Sequence, residues 1–170
     1  MTSFEFFAIQ YAMSFSVYAA LTAWYLWPRL AALPVRRALM ILVAPHALRH
    51  IGLGSIIPVA TDPALTTTEF AINQAWGDLV AALLACLAFV ALRSRWRSAL
   101  WLVVIFNVEG LYDLSRAVLD GVAVKFWTFQ LGAFWNVITF MAPLLFLFYL
   151  VIFIVLAKRW REYAAELRPA

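Results

Sequence analysis

Five apolar runs, each long enough to cross a bilayer, take up most of this chain and leave little from which a soluble core could be built. A bilayer core takes roughly 20 apolar residues per helix, and runs of that order fall at about 5–27, 36–58, 73–92, 99–119 and 133–157. Pro28 with Pro34, Pro58 with Pro63, the Arg93-Ser94-Arg95-Trp96-Arg97 cluster and Gly121 with Gly132 punctuate them. The expected fold is all-α: a polytopic membrane protein, a bundle of five transmembrane helices forming a single domain over 1–170. Composition agrees, because 66% of residues are hydrophobic and only 13% charged, against about 25% charged in soluble domains. The formal charge of +4 does not imply nucleic-acid binding, since the basic residues stand in short clusters at the ends of apolar runs. Cys86 is the only cysteine, which excludes an internal disulfide and disfavours thiolate metal centres. The first charge is Glu5 and no Lys or Arg precedes Arg29, so the first helix lacks the basic start of a cleaved signal peptide and is expected to stay.

Lys and Arg also orient the chain. Arg29, Arg36 and Arg37 follow the first run, Arg93, Arg95 and Arg97 the third, and Lys158, Arg159, Arg161 and Arg168 the last. These three groups belong on the cytoplasmic side, which places the N-terminus outside and the C-terminus inside, in a bacterial inner membrane. The intervening stretches, with Glu5, with Asp62 and Glu69, and with Asp120 and Lys125, are poor in positive charge. Trp24, Trp27, Trp76, Trp96, Trp101, Trp127, Trp135 and Trp160 fall near run ends, where amphipathic rings favour the headgroup level. Phe126, Trp127 and Phe129 read as a short interfacial segment along the outer surface.

Within the apolar runs, the polar residues collect in one layer. Ala44-Pro45-His46-Ala47-Leu48-Arg49-His50-Ile51-Gly52-Leu53-Gly54 holds two histidines and an arginine, groups that must be paired, hydrated or functional at membrane depth. At about 1.5 Å rise per residue, His46 lies near mid-membrane and Arg49 and His50 in the outer half. Asp78, Asn107, Glu109, Asp113 and Arg116 fall at matching depths on the third and fourth runs. Gln10, Ser14 and Asn136 share that half, while the inner half is almost wholly apolar. At about 100° per residue, His46 and His50 share one side of their helix, and Glu109, Asp113 and Arg116 one side of theirs. Pro45 removes a donor and leaves the Ile41 carbonyl unpaired, an irregularity tolerated where protein or a wet cavity satisfies the freed groups.

Two kinds of role fit these residues. Arg49 reads as a structural ion-pair partner of Asp78 or Asp113, and Asn107 and Asn136 as interhelical hydrogen-bond glue worth on the order of 1 kcal/mol. Arg116 and Asp120 read as groups that snorkel outward. Alternatively, His46 and His50 with Glu109 and Asp113 offer imidazole and carboxylate ligands of the kind that bind zinc, iron or manganese in helix bundles. The same groups could instead move protons, with His46 and Asp113 as an acid–base pair. There is no Ser-His-Asp or Cys-His arrangement, phosphate loop or dinucleotide fingerprint.

His46-Ala47-Leu48-Arg49-His50-Ile51-Gly52-Leu53, Gly77-Asp78-Leu79 and Asn107-Val108-Glu109-Gly110-Leu111-Tyr112-Asp113-Leu114 resemble elements of a family of small bacterial integral membrane proteins with no assigned function. The likeness covers roughly residues 38–155. It implies that His46, Arg49, Asp78, Asn107 and Asp113 are the shared polar set, which weakens a metal site that depends on His50 and Glu109. A fainter resemblance, of architecture, is to the emopamil-binding sterol isomerases, five-helix proteins that shift a double bond with membrane-depth His, carboxylate, Asn and Trp. It implies such roles for His46, Asp78, Trp135 and Asn136.

The expected function is therefore a polar pocket in the outer half of the bilayer, holding a small lipophilic ligand or a metal and contacting membrane lipids. Arg49, Asp78, Asn107, Trp135 and Asn136 would line it, and His46 and Asp113 would carry any proton transfer. The competing expectation is an accessory subunit bound to other membrane subunits, with its charges serving only helix packing.

Overall fold

A computed structural model describes residues 1–166, in which every regular element is helical; Arg168 lies outside the described residues. Four helical rods are long and apolar enough to cross a membrane: Ser3–Ala32, Val35–Ile56, Glu69–Arg93 and Phe134–Tyr163. A fifth rod, Ala99–Ala123, has 25 residues but carries Glu109, Asp113, Arg116 and Asp120.

The first rod consists of α1 (Ser3–Leu21), a π-helical turn at Thr22–Leu26 and α2 (Trp27–Ala32). Thr2 and Glu5 form a reciprocal capping box at its start. The sequence ends this helix near Trp27, but the structure carries it through Pro28 to Ala32. The wide π turn takes up the break in the ladder that a proline without an N–H imposes. The side chain of Arg159 then donates to the carbonyls of Leu30 (3.0 Å) and Leu33 (2.9 Å), occupying acceptors that the end of α2 leaves open.

The second rod starts as α3 (Val35–Val43) and rewinds at Ala44 into a 3-10 segment, Ala44–Ile56. Thirteen residues is long for this geometry, in which runs beyond 3–4 are uncommon. Pro45 stands at the start of the new winding, where its missing N–H already interrupts the α-helical ladder. The tighter helix rises about 2.0 Å per residue, so the whole rod reaches about 40 Å.

After the short α4 (Pro63–Thr66), α5 (Glu69–Arg93) forms the central rod, packed on the 3-10 segment, on α3 and on α6 (Ala99–Ala123). Alanines 71, 75, 82, 85, 88 and 91 are buried along α5 and let the neighbouring backbones come close. A three-residue α7 (Phe134–Asn136) leads through a π turn, Val137–Met141, into α8 (Ala142–Glu166), which packs on α1, α3 and α6 and kinks at Arg159. Phe126–Thr128 forms a 3-10 turn between α6 and α7. Phe126 is buried against Phe7, with ring centroids 4.8 Å apart, and Trp127 rests on Phe4, also at 4.8 Å; this segment closes over the start of α1.

Two apolar clusters fill the interior. One gathers Leu39, Val43, Leu92, Val103, Phe106 and Ile152; the other gathers Leu65, Phe70, Phe126, Leu131 and Phe134. On α5, Ala71 belongs to one and Ala85 to the other, and Asp78 lies between them.

Candidate functional site

A 3-10 helix turns about 120° per residue, so positions three apart share a face. His46, Arg49, Gly52 and Ser55 are the buried residues of this segment, in that repeat. The α-helical expectation that His46 and His50 face the same way is thereby overturned. His50 is exposed, and its Nδ1 lies 2.9 Å from the carbonyl of Ala47 on its own helix.

Arg49 is 1% exposed and sits at the junction of four rods. Its Nε–H donates to Asp78 Oδ1 on α5 at 2.7 Å. Nη1 donates to the carbonyl of Gly110 on α6 at 3.2 Å and to the hydroxyl of Tyr149 on α8 at 3.0 Å. Nη2 lies 2.5 Å from both Asp113 Oδ2 and Asp78 Oδ1. Four of the five N–H donors of the guanidinium are thus engaged in hydrogen bonds, and Nη2 also stands in ion-pair contact with Asp78. An arginine buried in this way is stabilised by fixed partners on three other helices, and a point charge on a flexible stem could not reproduce the fork.

Three glycines make room for those partners. A Cβ at Gly52 would overlap the Asp78 carboxylate, one at Gly77 the Asp113 carboxylate, and one at Gly110 the Tyr149 hydroxyl. Each side chain that holds Arg49 is thus seated against the bare backbone of a neighbouring helix. The group that Gly110 admits is Tyr149. Sequence reasoning missed Tyr149 altogether, although it is the only hydroxyl-bearing side chain between Ala142 and Glu162.

The remaining candidates are dispersed. His46 is fully buried, its ring centroid 4.1 Å from that of Tyr149 and 5.0 Å from that of Phe106, and neither ring nitrogen has a partner. Asn107 Nδ2 donates to the carbonyl of Tyr149 at 3.2 Å, while its Oδ1 is unpaired. Glu109 is half-buried with Oε2 unpaired. Trp135 Nε1 donates to Gln10 Oε1 at 2.6 Å, tying α7 to α1 away from Arg49, and Asn136 is exposed. Arg116 pairs with Asp120 at 3.2 Å on the surface. The quartet His46, His50, Glu109 and Asp113 is not assembled. Among the described residues no three His, Cys, Asp or Glu side chains stand together as a metal ion requires. The 3-10 winding that buries His46 turns His50 away.

Beside this centre run three adjoining hollows. A polar cleft of about 180 Å³ lies between α5 and α6, lined by Asn73, Gln74, Tyr112, Asp113, Arg116 and Asp120 among others. Through Phe70, Gln74 and Ala117 it meets a narrow apolar neck of about 50 Å³, which also touches Phe7, Tyr11 and Val118. Those last three residues border an open apolar groove of about 580 Å³ between α1 and α6, completed by Ala12, Phe15, Ser115, Leu119 and Phe146. Gln74 Oε1, at the meeting of cleft and neck, is buried without a hydrogen-bond partner.

No curated protein and no solved structure matches the chain. One family model, described as a domain of unknown function (DUF8737), matches residues 6–157. That span contains Arg49, its three side-chain partners and the glycines that seat them, and the chain belongs to this family.

Proposed function

We propose that this chain is a five-span membrane protein that binds a small lipophilic molecule between α1, α5, α6 and α8, with its N-terminus outside and its C-terminus in the cytoplasm. The fifth crossing is supported by the pairing of charge on α6. Asp113 is met by Arg49 inside the protein, and Arg116 and Asp120 pair near one end, which leaves the half-buried Glu109 outside these pairs. The alternation of basic clusters supports the orientation, and the resemblance to bacterial membrane proteins supports the inner membrane.

The adjacency of groove, neck and cleft, which share lining residues, carries the ligand reading. The groove has the size of a small-molecule pocket, about 300–1,000 Å³. It ends at an unpaired amide oxygen and a carboxylate. The cleft is lined by Asp113 and Asp120 against Arg116, a formal excess of one negative charge, so the head of the ligand is a hydrogen-bond donor such as an amine or hydroxyl. In this reading the Arg49 centre is scaffold: it holds α5 and α6 in register so that Asp113 lines the cleft. His46 lines none of the three hollows, so binding is favoured over proton-transfer chemistry by the pair His46 and Asp113.

The test is native mass spectrometry of mildly extracted protein beside an Ala117→Phe variant, whose ring would fill the neck. Binding predicts a lipophilic adduct on the parent chain and its loss from the variant at unchanged melting temperature. An adduct of equal occupancy on both would refute the site.

A second reading, an accessory subunit, is favoured by α1. Only 6% of the apolar window in the first rod is buried, and Ile9, Met13, Val17 and Leu21 form an open stripe. It predicts a stoichiometric membrane partner that co-purifies and is lost when Met13 and Val17 are changed to Trp.

A further inference from the structure

At the other end of α5 from the ligand cleft, three arginines from two different connections converge on one hollow. The cleft, of about 270 Å³, is lined by Pro34, Arg36, Arg37, Arg95, Tyr163 and Glu166. That is several times the roughly 30 Å³ a water occupies. Arg36 and Arg37 open α3, while Arg95 sits in the turn between α5 and α6 with φ at 55°, a left-handed backbone that a residue with a Cβ rarely adopts. Among the described residues none of the three guanidiniums has an ion-pair partner, and the only hydrogen bond from them runs from Arg36 Nη1 to the Leu92 carbonyl at 3.3 Å. Glu166, the carboxylate that lines the cleft among the described residues, is engaged by the backbone N–H of Val35 at 2.8 Å. Tyr163, only 1% exposed, lines the same hollow, and its buried hydroxyl has no partner among the described residues.

We infer that this cleft binds the phosphate of an anionic phospholipid headgroup. Guanidinium groups suit phosphate oxygens because the planar fork donates in pairs, and the Tyr163 hydroxyl supplies a further donor. Three cations against one carboxylate leave a formal excess of two positive charges. The lipid source follows from the surrounding rings. Lys158 lies 5.5 Å over the ring of Trp27, Trp101 and Trp160 meet with centroids 5.7 Å apart, and Trp96 adjoins Arg95, a belt expected at the headgroup level. Basic pockets at such a level, between helices, take anionic lipid heads. The inference rests on the membrane reading above but not on the ligand cleft.

Native mass spectrometry of the full chain in detergent, supplied with phosphatidylglycerol and phosphatidylcholine of identical acyl chains, tests it. Phosphatidylglycerol should be retained in preference, and the double variant Arg37→Gln, Arg95→Gln should lower its occupancy roughly tenfold or more while leaving phosphatidylcholine unchanged. Equal retention of the two lipids by the parent chain would overturn the preference for an anionic headgroup, and with it the site, and leave the membrane reading standing. An undiminished preference in a folded double variant would also overturn it. If the double variant does not fold, the salt dependence of the parent's preference decides: loss of preference as salt rises supports the site, and indifference to salt refutes it.

Discussion

The carboxylate of Asp78 occupies the space that a Cβ at residue 52 would fill, so Gly52 and Asp78 are in direct contact across two helices. Since Asp78 is simultaneously held by Arg49, the methyl group of an alanine could be admitted only by breaking the ion pair or parting the helices. Gly52→Ala is expected to destabilise the protein by on the order of 3 kcal/mol, measured by unfolding in mixed micelles. Gly54→Ala is the control: its Cβ would meet only Phe134 at an ordinary 3.8 Å, and it should be neutral or mildly stabilising.

The repeat of three along Ala44–Ile56 makes a separate prediction. In a background where Cys86 is replaced by Ser, single cysteines at 48, 50 and 51 should react with a small thiol reagent in detergent, and cysteines at 46 and 55 should be protected. Protection with a period near 3.6 would show an α-helix in place of the 3-10 segment.

His46 is held between two aromatic rings with both nitrogens unpaired. An enclosed polar atom without a partner costs about 1–3 kcal/mol, so His46→Phe should be neutral or stabilising in the same unfolding measurement. A large loss of stability would mean that an imidazole nitrogen has a partner after all.

These predictions also mark what the sequence could and could not convey. Long apolar runs and a buried charge in need of company were legible, because desolvation leaves Arg49 few options, and Asp78 and Asp113 read as its partners among the acids at its depth. The choice between them was not legible; the structure uses both. The side of the helix that each residue takes was misread because 100° per residue was assumed where the chain winds at about 120°. His46, Arg49, Gly52 and Ser55 at every third position carried the signal. Tyr149 escaped because an aromatic residue in an apolar run reads as packing, and its hydroxyl acquires meaning only opposite Gly110. The glycine seats belong to the same class, being contacts between rods that no single run reveals.

Topology separates five crossings from four. Reporter fusions should place the N-terminus and the 120–132 connection outside, and the 94–98 connection and residues after Lys158 inside. If the 94–98 and 120–132 connections report from one side, α6 does not cross.

The central claim, that Arg49 binds the helices together through its charge partners, is tested most directly by a double-mutant cycle between Arg49→Met and Asp113→Asn, read as unfolding free energy in mixed micelles. Each single variant should be strongly destabilised, and the pair should recover part of the loss, with a coupling of about 1.5 kcal/mol or more. Additivity within about 0.5 kcal/mol would contradict the account.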